Sequence, residues 1–306
     1  MVLAGAPAAL LVVQSAHQVS LLDPLSGVLK PLASFGPDWT NDSGSTGLGC
    51  NSTHCISIGS WAMSPHCIGI FEKADPNRIR AMPLVGTTAD GFSAPAFVES
   101  AQEWQVLDTS GTLHRIDDAL SLHKIATASP PFSPPYFYHA APVPNSADGS
   151  AMWCALSSAS EPKGQVEGCF SALDMAAVSS NPAGAGGYAT NIAGCGFSAA
   201  LGRLVCAGYN GTQYGLVGFD ASKPSMPSAL LGVDPRTAGW KYGFSVGKLA
   251  VLGDGTFVML AQPNLGVQRS AQLFVTIWDP ATQELSAVNT TVQPALNDGN
   301  LAWALF

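Results

Sequence analysis

The chain ends on a lone strand. Asn297-Asp298-Gly299-Asn300-Leu301-Ala302-Trp303-Ala304-Leu305-Phe306 reads as a β-strand with no hairpin partner beside it. At the other end, Ala8 to Gln14 is an apolar strand that also lacks a neighbour. Each of these strands carries a row of backbone N–H and C=O groups that must find partners. Pairing the two strands satisfies both and turns the whole chain into a ring. The permitted folds are then those in which short sheets follow one another around a closed circuit.

The sequence between the two ends supports such a circuit. No long segment shows apolar residues at intervals of three and four, so no major helix is expected. No apolar run approaches the ~18 residues of a membrane span. Gly (32) and Pro (22) are spread along the chain, as short strands joined by tight turns require. Two internal repeats mark the units. One is Gly-Phe-Ser: Gly91-Phe92-Ser93, Gly196-Phe197-Ser198 and Gly243-Phe244-Ser245, with a degenerate copy at Pro131-Phe132-Ser133. The other is an apolar strand running into Asp at a turn. It ends at Asp23, Asp174, Asp220 and Asp279, with an equivalent at Asp75, and Asp108-Thr109-Ser110-Gly111 looks like the same device one hairpin earlier.

These repeats divide the chain into six units: 297–306 with 8–34, then 46–84, 88–127, 132–190, 191–232 and 240–293. The same pattern leaves counts of five and seven open. The pattern resembles the β-propeller superfold. That resemblance implies an all-β, six-bladed β-propeller of four-stranded blades, a single domain over residues 1–306. It would be closed by pairing the C-terminal strand with the N-terminal strands. Trp61, Trp104, Trp153, Trp240, Trp278 and Trp303 are distributed over most of the units and read as packing between wedge-shaped blades. Ser129-Pro130-Pro131-Phe132-Ser133-Pro134-Pro135-Tyr136 resembles the Ser-Pro-Pro motifs of hydroxyproline-rich cell-wall glycoproteins of plants and green algae. It reads as an extended surface connector.

Charge restricts the partners. Only 11% of residues are charged, the net charge is −8, and the 13 Lys and Arg form no patch, which argues against nucleic acid. So little charge on an apolar-rich chain calls for glycans over the surface or for self-association with copies or other extracellular proteins. Asn-x-Ser/Thr sequons stand at Asn41, Asn51, Asn210 and Asn289. Hairpin symmetry pairs Cys50 with Cys55, Cys154 with Cys169 and Cys195 with Cys206 as disulfides, and leaves Cys67 over. These features predict an extracellular, secreted glycoprotein. Met1 to Ala16 makes a poor signal peptide, lacking a basic start and interrupted by Pro7, and is expected to be structural.

No catalytic constellation stands out. Gly243-Phe244-Ser245-Val246-Gly247 matches the Gly-x-Ser-x-Gly nucleophile elbow, but that elbow needs a strand, a sharp turn and a helix. A repeat consensus explains it in an all-β setting. The histidines at 17, 54, 66, 114, 123 and 139 show no i,i+2 or i,i+4 pairing for zinc. The leading expectation is therefore a non-catalytic structural module of a matrix or filament, or a binding module, with no cofactor and no catalytic residue. The alternative resembles the six-bladed lactonase and esterase families, which hold a metal in the central channel. That resemblance implies calcium near Glu99, His139, Asn297, Asp298 and Asn300, polarising a lactone carbonyl.

Overall fold

A computed structural model describes residues 11–15, 18–23, 26, 28–35, 47–59, 66–84, 89, 91–128, 138–144, 150–157, 167–180, 192–198, 201–209, 214–219, 229–233, 244–251, 257–265, 268–269, 272–279, 284–291 and 301–306. Over these residues the protein is all-β, and every strand pairing is antiparallel. Among them no helix is long and apolar enough to cross a membrane.

The strands form sheets in chain order. The opening strands are β1 (Leu11–Ser15), β2 (Gln18–Leu22) and β3 (Leu29–Ser34). A second sheet holds β4 (Gly47–Cys50), β5 (His54–Gly59), β6 (Cys67–Glu72) and β7 (Ile79–Pro83). A third holds β8 (Ala96–Val98), β9 (Glu103–Leu107), β10 (Thr112–Ile116) and β11 (Leu122–Thr127). The fourth has β12 (Tyr138–Pro144), β13 (Ala151–Ser157), β14 (Glu167–Ser171) and β15 (Ala177–Ser180). The fifth has β16 (Ile192–Ser198), β17 (Arg203–Tyr209), β18 (Tyr214–Phe219) and β19 (Ala229–Val233). The next is β20 (Phe244–Val251), β21 (Phe257–Leu265), β23 (Gln272–Asp279) and β24 (Glu284–Thr291), with the short β22 (Gln268–Arg269) on β21. Last in the chain, β25 (Leu301–Leu305) joins β1 at the head of the first sheet, in the order β25-β1-β2-β3. Its register runs from Leu11 opposite Leu305 to Ser15 opposite Leu301.

The first strands of the sheets touch one another in succession. β4 meets β25 and β8, β8 meets β12, β12 meets β16, β16 meets β20, and β20 meets β25. Close approach follows from sequence at Gly47 and Gly49. A Cβ on Gly49 would fall inside van der Waals contact with the Pro95 carbonyl, and one on Gly47 would crowd Ser93 and Ala94, so β4 lies flush against the segment that enters β8.

Burial falls from the inner strands to the outer ones. β5 is buried along nearly its whole length, whereas β7 is exposed from Arg80 to Pro83. The core lies in the seams between successive sheets. Val19, Ala33 and Phe35 of the first sheet pack on Leu48, Cys55 and Phe71 of the second. Ile56, Ile58 and Ile68 pack on Phe92, Val106 and Ile116. Leu107 and Leu113 pack on Trp153 and Phe170, and Met152 and Val143 on Leu204 and Val217. Each fully buried side chain of this kind contributes about 1.5–3 kcal/mol. Trp153, fully buried, also donates from Nε1 to Gln105 Oε1 across a seam at 2.8 Å. It packs between sheets, as the sequence reading expected of it.

The Asp repeat has one structural meaning. Asp23, Asp75, Asp117, Asp174 and Asp279 each end or follow the third strand of their sheet, and Asp220 lies outside the described residues. Asp23 Oδ2 accepts from Ser26 Oγ at 2.6 Å, Asp117 Oδ1 from Ser121 N at 2.8 Å and Asp174 Oδ1 from Ala176 N at 3.1 Å, closing the turns to the outer strands. The Gly-Phe-Ser repeat has no such unity. Phe92 precedes β8, Phe197 and Ser198 close β16, and Phe244 opens β20.

Candidate functional site

Disulfides join Cys50 to Cys55, Cys154 to Cys169 and Cys195 to Cys206, each pair directly opposite in neighbouring strands with Cα atoms 4.0–4.1 Å apart. Cys67 takes part in none of them and faces Gly59 in the register. Three such bonds mark an exported protein, because reducing compartments do not sustain them.

The candidate residues separate. Glu99 follows the C-terminal end of β8 in an exposed turn, where its Oε2 and carbonyl both accept from Gln102 Nε2. His139 enters β12 near its N-terminal end. Asn297, Asp298 and Asn300 lie outside the described residues, as do Asn41 and Asn210. Asn289 sits within β24, opposite Phe274. Ser245 lies within the continuous strand β20, so no strand–turn–helix elbow surrounds it. Among the described residues no three His, Cys, Asp or Glu gather to hold a metal. The six first strands contain no Asp or Glu at all. Among the described residues, then, no group of carboxylates gathers that could supply the several oxygen ligands of a calcium site.

The described residues do assemble one buried polar cluster, in the seam between the second and third sheets. Asp108 follows β9 and Thr112 opens β10, and the backbone of Asp108 donates to the Thr112 carbonyl. Strand alternation puts His114 on the same face as Thr112, above Asp108. Asp108 Oδ1 accepts from Ser110 N (2.9 Å), Ser110 Oγ (2.6 Å) and Thr112 N (2.9 Å), and its Oδ2 accepts from His114 Nε2 at 2.8 Å. Burial alone would push the Asp108 carboxyl up. The bonds from His114, Ser110 and Thr112 outweigh it and hold the group below the ordinary carboxylate value.

A second imidazole stands nearby. His66 Nε2 donates to the Ala89 carbonyl at 2.6 Å, and the rings of His66 and His114 both meet Phe92 edge-on, with centroids 5.2 and 6.3 Å away. Each histidine has its Nε2 committed to an acceptor. Both Nδ1 atoms are buried without a protein partner. A carboxylate behind an imidazole is an acid–base arrangement. Here the side chains are only 6% and 5% exposed, too little for a substrate to reach them. The pair acts as a latch that closes the β9–β10 hairpin on itself, with the His114 ring against Phe92 in the seam. The sequence reading passed over it because it sought histidines two or four apart, whereas this hairpin spaces its partners Asp-x5-His. The same spacing recurs at the surface, where His123 Nε2 meets Asp117 Oδ2 at 2.7 Å.

No protein-family model matches the chain, and no curated protein matches it in sequence. Solved structures do share its fold. The periplasmic gluconolactonase of Pseudomonas aeruginosa aligns with a TM-score of 0.57 at 15% identity, covering 93% of this chain and 83% of that one. Two proteins assigned as 6-phosphogluconolactonases, from Bacteroides fragilis and Bacteroides uniformis, align with TM-scores of 0.53 at 10% and 11% identity. Each covers 97% of this chain, and the alignments span 98% and 100% of the two proteins. This finding corrects the expectation of a non-catalytic structural, self-assembling or filament-forming module. These three structures, which share the fold over nearly the whole chain, are described as lactonases, and none of them is described as a matrix or filament protein.

Proposed function

We propose that this protein is an exported lactone hydrolase built as a six-bladed β-propeller. The observation that carries the reading is the likeness to three lactonase-described structures over 93–97% of the chain. The cyclic succession of contacts among the first strands, with β25 completing the first sheet, supports the six-blade layout. Disulfides and sequons together favour an extracellular place of action.

In lactone hydrolysis water adds to the ring carbonyl carbon, the ring C–O bond breaks, and the alkoxide oxygen takes up a proton to give the hydroxy acid. The chain must therefore supply a base for the water and a donor for the leaving oxygen. We assign this work to the end of the ring where the chain enters its first strands, and name as the residues to test His139, near the start of β12, and Asp298, which precedes β25 in sequence. A net charge of −8 and only 13 basic residues favour an unphosphorylated sugar lactone over a phosphorylated one.

The test is a hydrolysis assay on glucono-lactone and on its 6-phosphate. Activity on the unphosphorylated lactone is expected, with His139→Ala and Asp298→Ala each lowering kcat about 10²–10⁴-fold. Glu99→Ala, beyond the opposite end of its first strand, is expected to leave kcat unchanged. Absence of hydrolysis across a panel of sugar lactones by folded protein would overturn the reading.

A further inference from the structure

The hairpin tip between β4 and β5 carries the sequon Asn51-Ser52-Thr53, directly above the Cys50–Cys55 disulfide. Asn51 is built into the turn through one half of its carboxamide only. Its Oδ1 accepts from Thr53 N (2.9 Å), Thr53 Oγ1 (3.2 Å) and His54 N (2.7 Å), while its backbone N donates to the His54 carbonyl at 2.9 Å. Thr53 Oγ1 also lies 2.8 Å from His54 Nδ1. The amide nitrogen Nδ2 makes no bond to any described residue, and Ser52 and Thr53 are exposed. Nδ2 is the atom that a glycan would take.

We infer that Asn51 is an N-glycosylation site and that the hairpin is shaped to carry the sugar without cost to its turn. In the transfer, Nδ2 bonds to the anomeric carbon of a polyisoprenyl-diphosphate-linked oligosaccharide. The C–O bond to the diphosphate breaks, the diphosphate leaves with the electron pair, and one Nδ2 proton passes to a base. All three hydrogen bonds to Oδ1 survive, because the oxygen is not modified. The disulfide fixes the strand ends on both sides, so the sugar projects from a rigid tip. Asn289, by contrast, stands within β24, the last strand of its sheet's pairing path, where the neighbouring backbone belongs to a ladder.

The experiment is site mapping on protein recovered from the secretory route of the organism that makes it. Reduced and alkylated peptides are treated with peptide N-glycosidase in heavy-oxygen water. Conversion of Asn51 to heavy-labelled Asp is expected in most of the Asn51 peptide. Asn51→Gln should remove one glycan-sized step from the intact mass. Thr53→Ser, which keeps both the sequon and the hydroxyl, should retain it. Unmodified Asn51 peptide as the dominant species in the wild-type protein would overturn the inference, and that readout needs no variant to fold.

Discussion

At the scale of single residues, Asp108 and Asp117 form a natural comparison. Both sit in Asp-x5-His turns with the same backbone bonds, but the Asp108–His114 pair is buried and the Asp117–His123 pair is largely solvated. Asp108 is held below its ordinary value, so its ionised form is favoured by folding. That stability is fully present above the unfolded carboxyl value of about 3.9 and is lost as pH falls through the lower folded value. Asp108→Asn is expected to flatten the acid limb of a stability–pH curve below about pH 4. Asp108→Ala, which leaves His114 Nε2 and the backbone donors of Ser110 and Thr112 unmatched, should cost about 2–4 kcal/mol in urea unfolding at neutral pH. Asp117→Asn should leave the urea midpoint almost unchanged, because an exposed pair gains little. Equal effects of the two Asn substitutions would refute the burial argument.

Individual strands show what sequence can and cannot convey. The Asp repeat was legible because the turns after the third strands of the first, third and fourth sheets face the same local problem, orphan N–H groups that a short carboxylate can satisfy. Asp117 was the copy the reading missed, and Asp108 was rightly placed one hairpin earlier. The Gly-Phe-Ser repeat misled because its three copies occupy different positions relative to a first strand, so composition mimicked a structural period. The seam between the second and third sheets was illegible for another reason. His66, Phe92 and His114 come from separate elements and meet only through packing. Glycine contacts were equally hidden, since nothing local says which Gly faces another backbone. Gly49→Ala should lower stability by about 1–3 kcal/mol through overpacking against Pro95, measured by chemical denaturation. Gly202, with open space around its Cβ position, has a φ of +61° and would report backbone strain instead of crowding.

On the scale of the whole molecule, the pairing of β25 with β1 is the joint on which the first sheet depends. Removing Leu301–Phe306 exposes the edge of β1 and takes away a strand that contacts both β4 and β20. The truncated protein is expected to unfold at least ~10 °C lower and less cooperatively in a thermal scan. An unchanged transition would show that the first sheet stands without its last strand. Leu11 and Leu305, opposite one another in that sheet, lie nearly the whole length of the chain apart in sequence. A ribosome therefore delivers β1 to β3 well before their neighbour β25, so the first sheet cannot be complete until Leu301–Leu305 have been made. Every contact that depends on β25, to β4 on one side and β20 on the other, waits for the same moment.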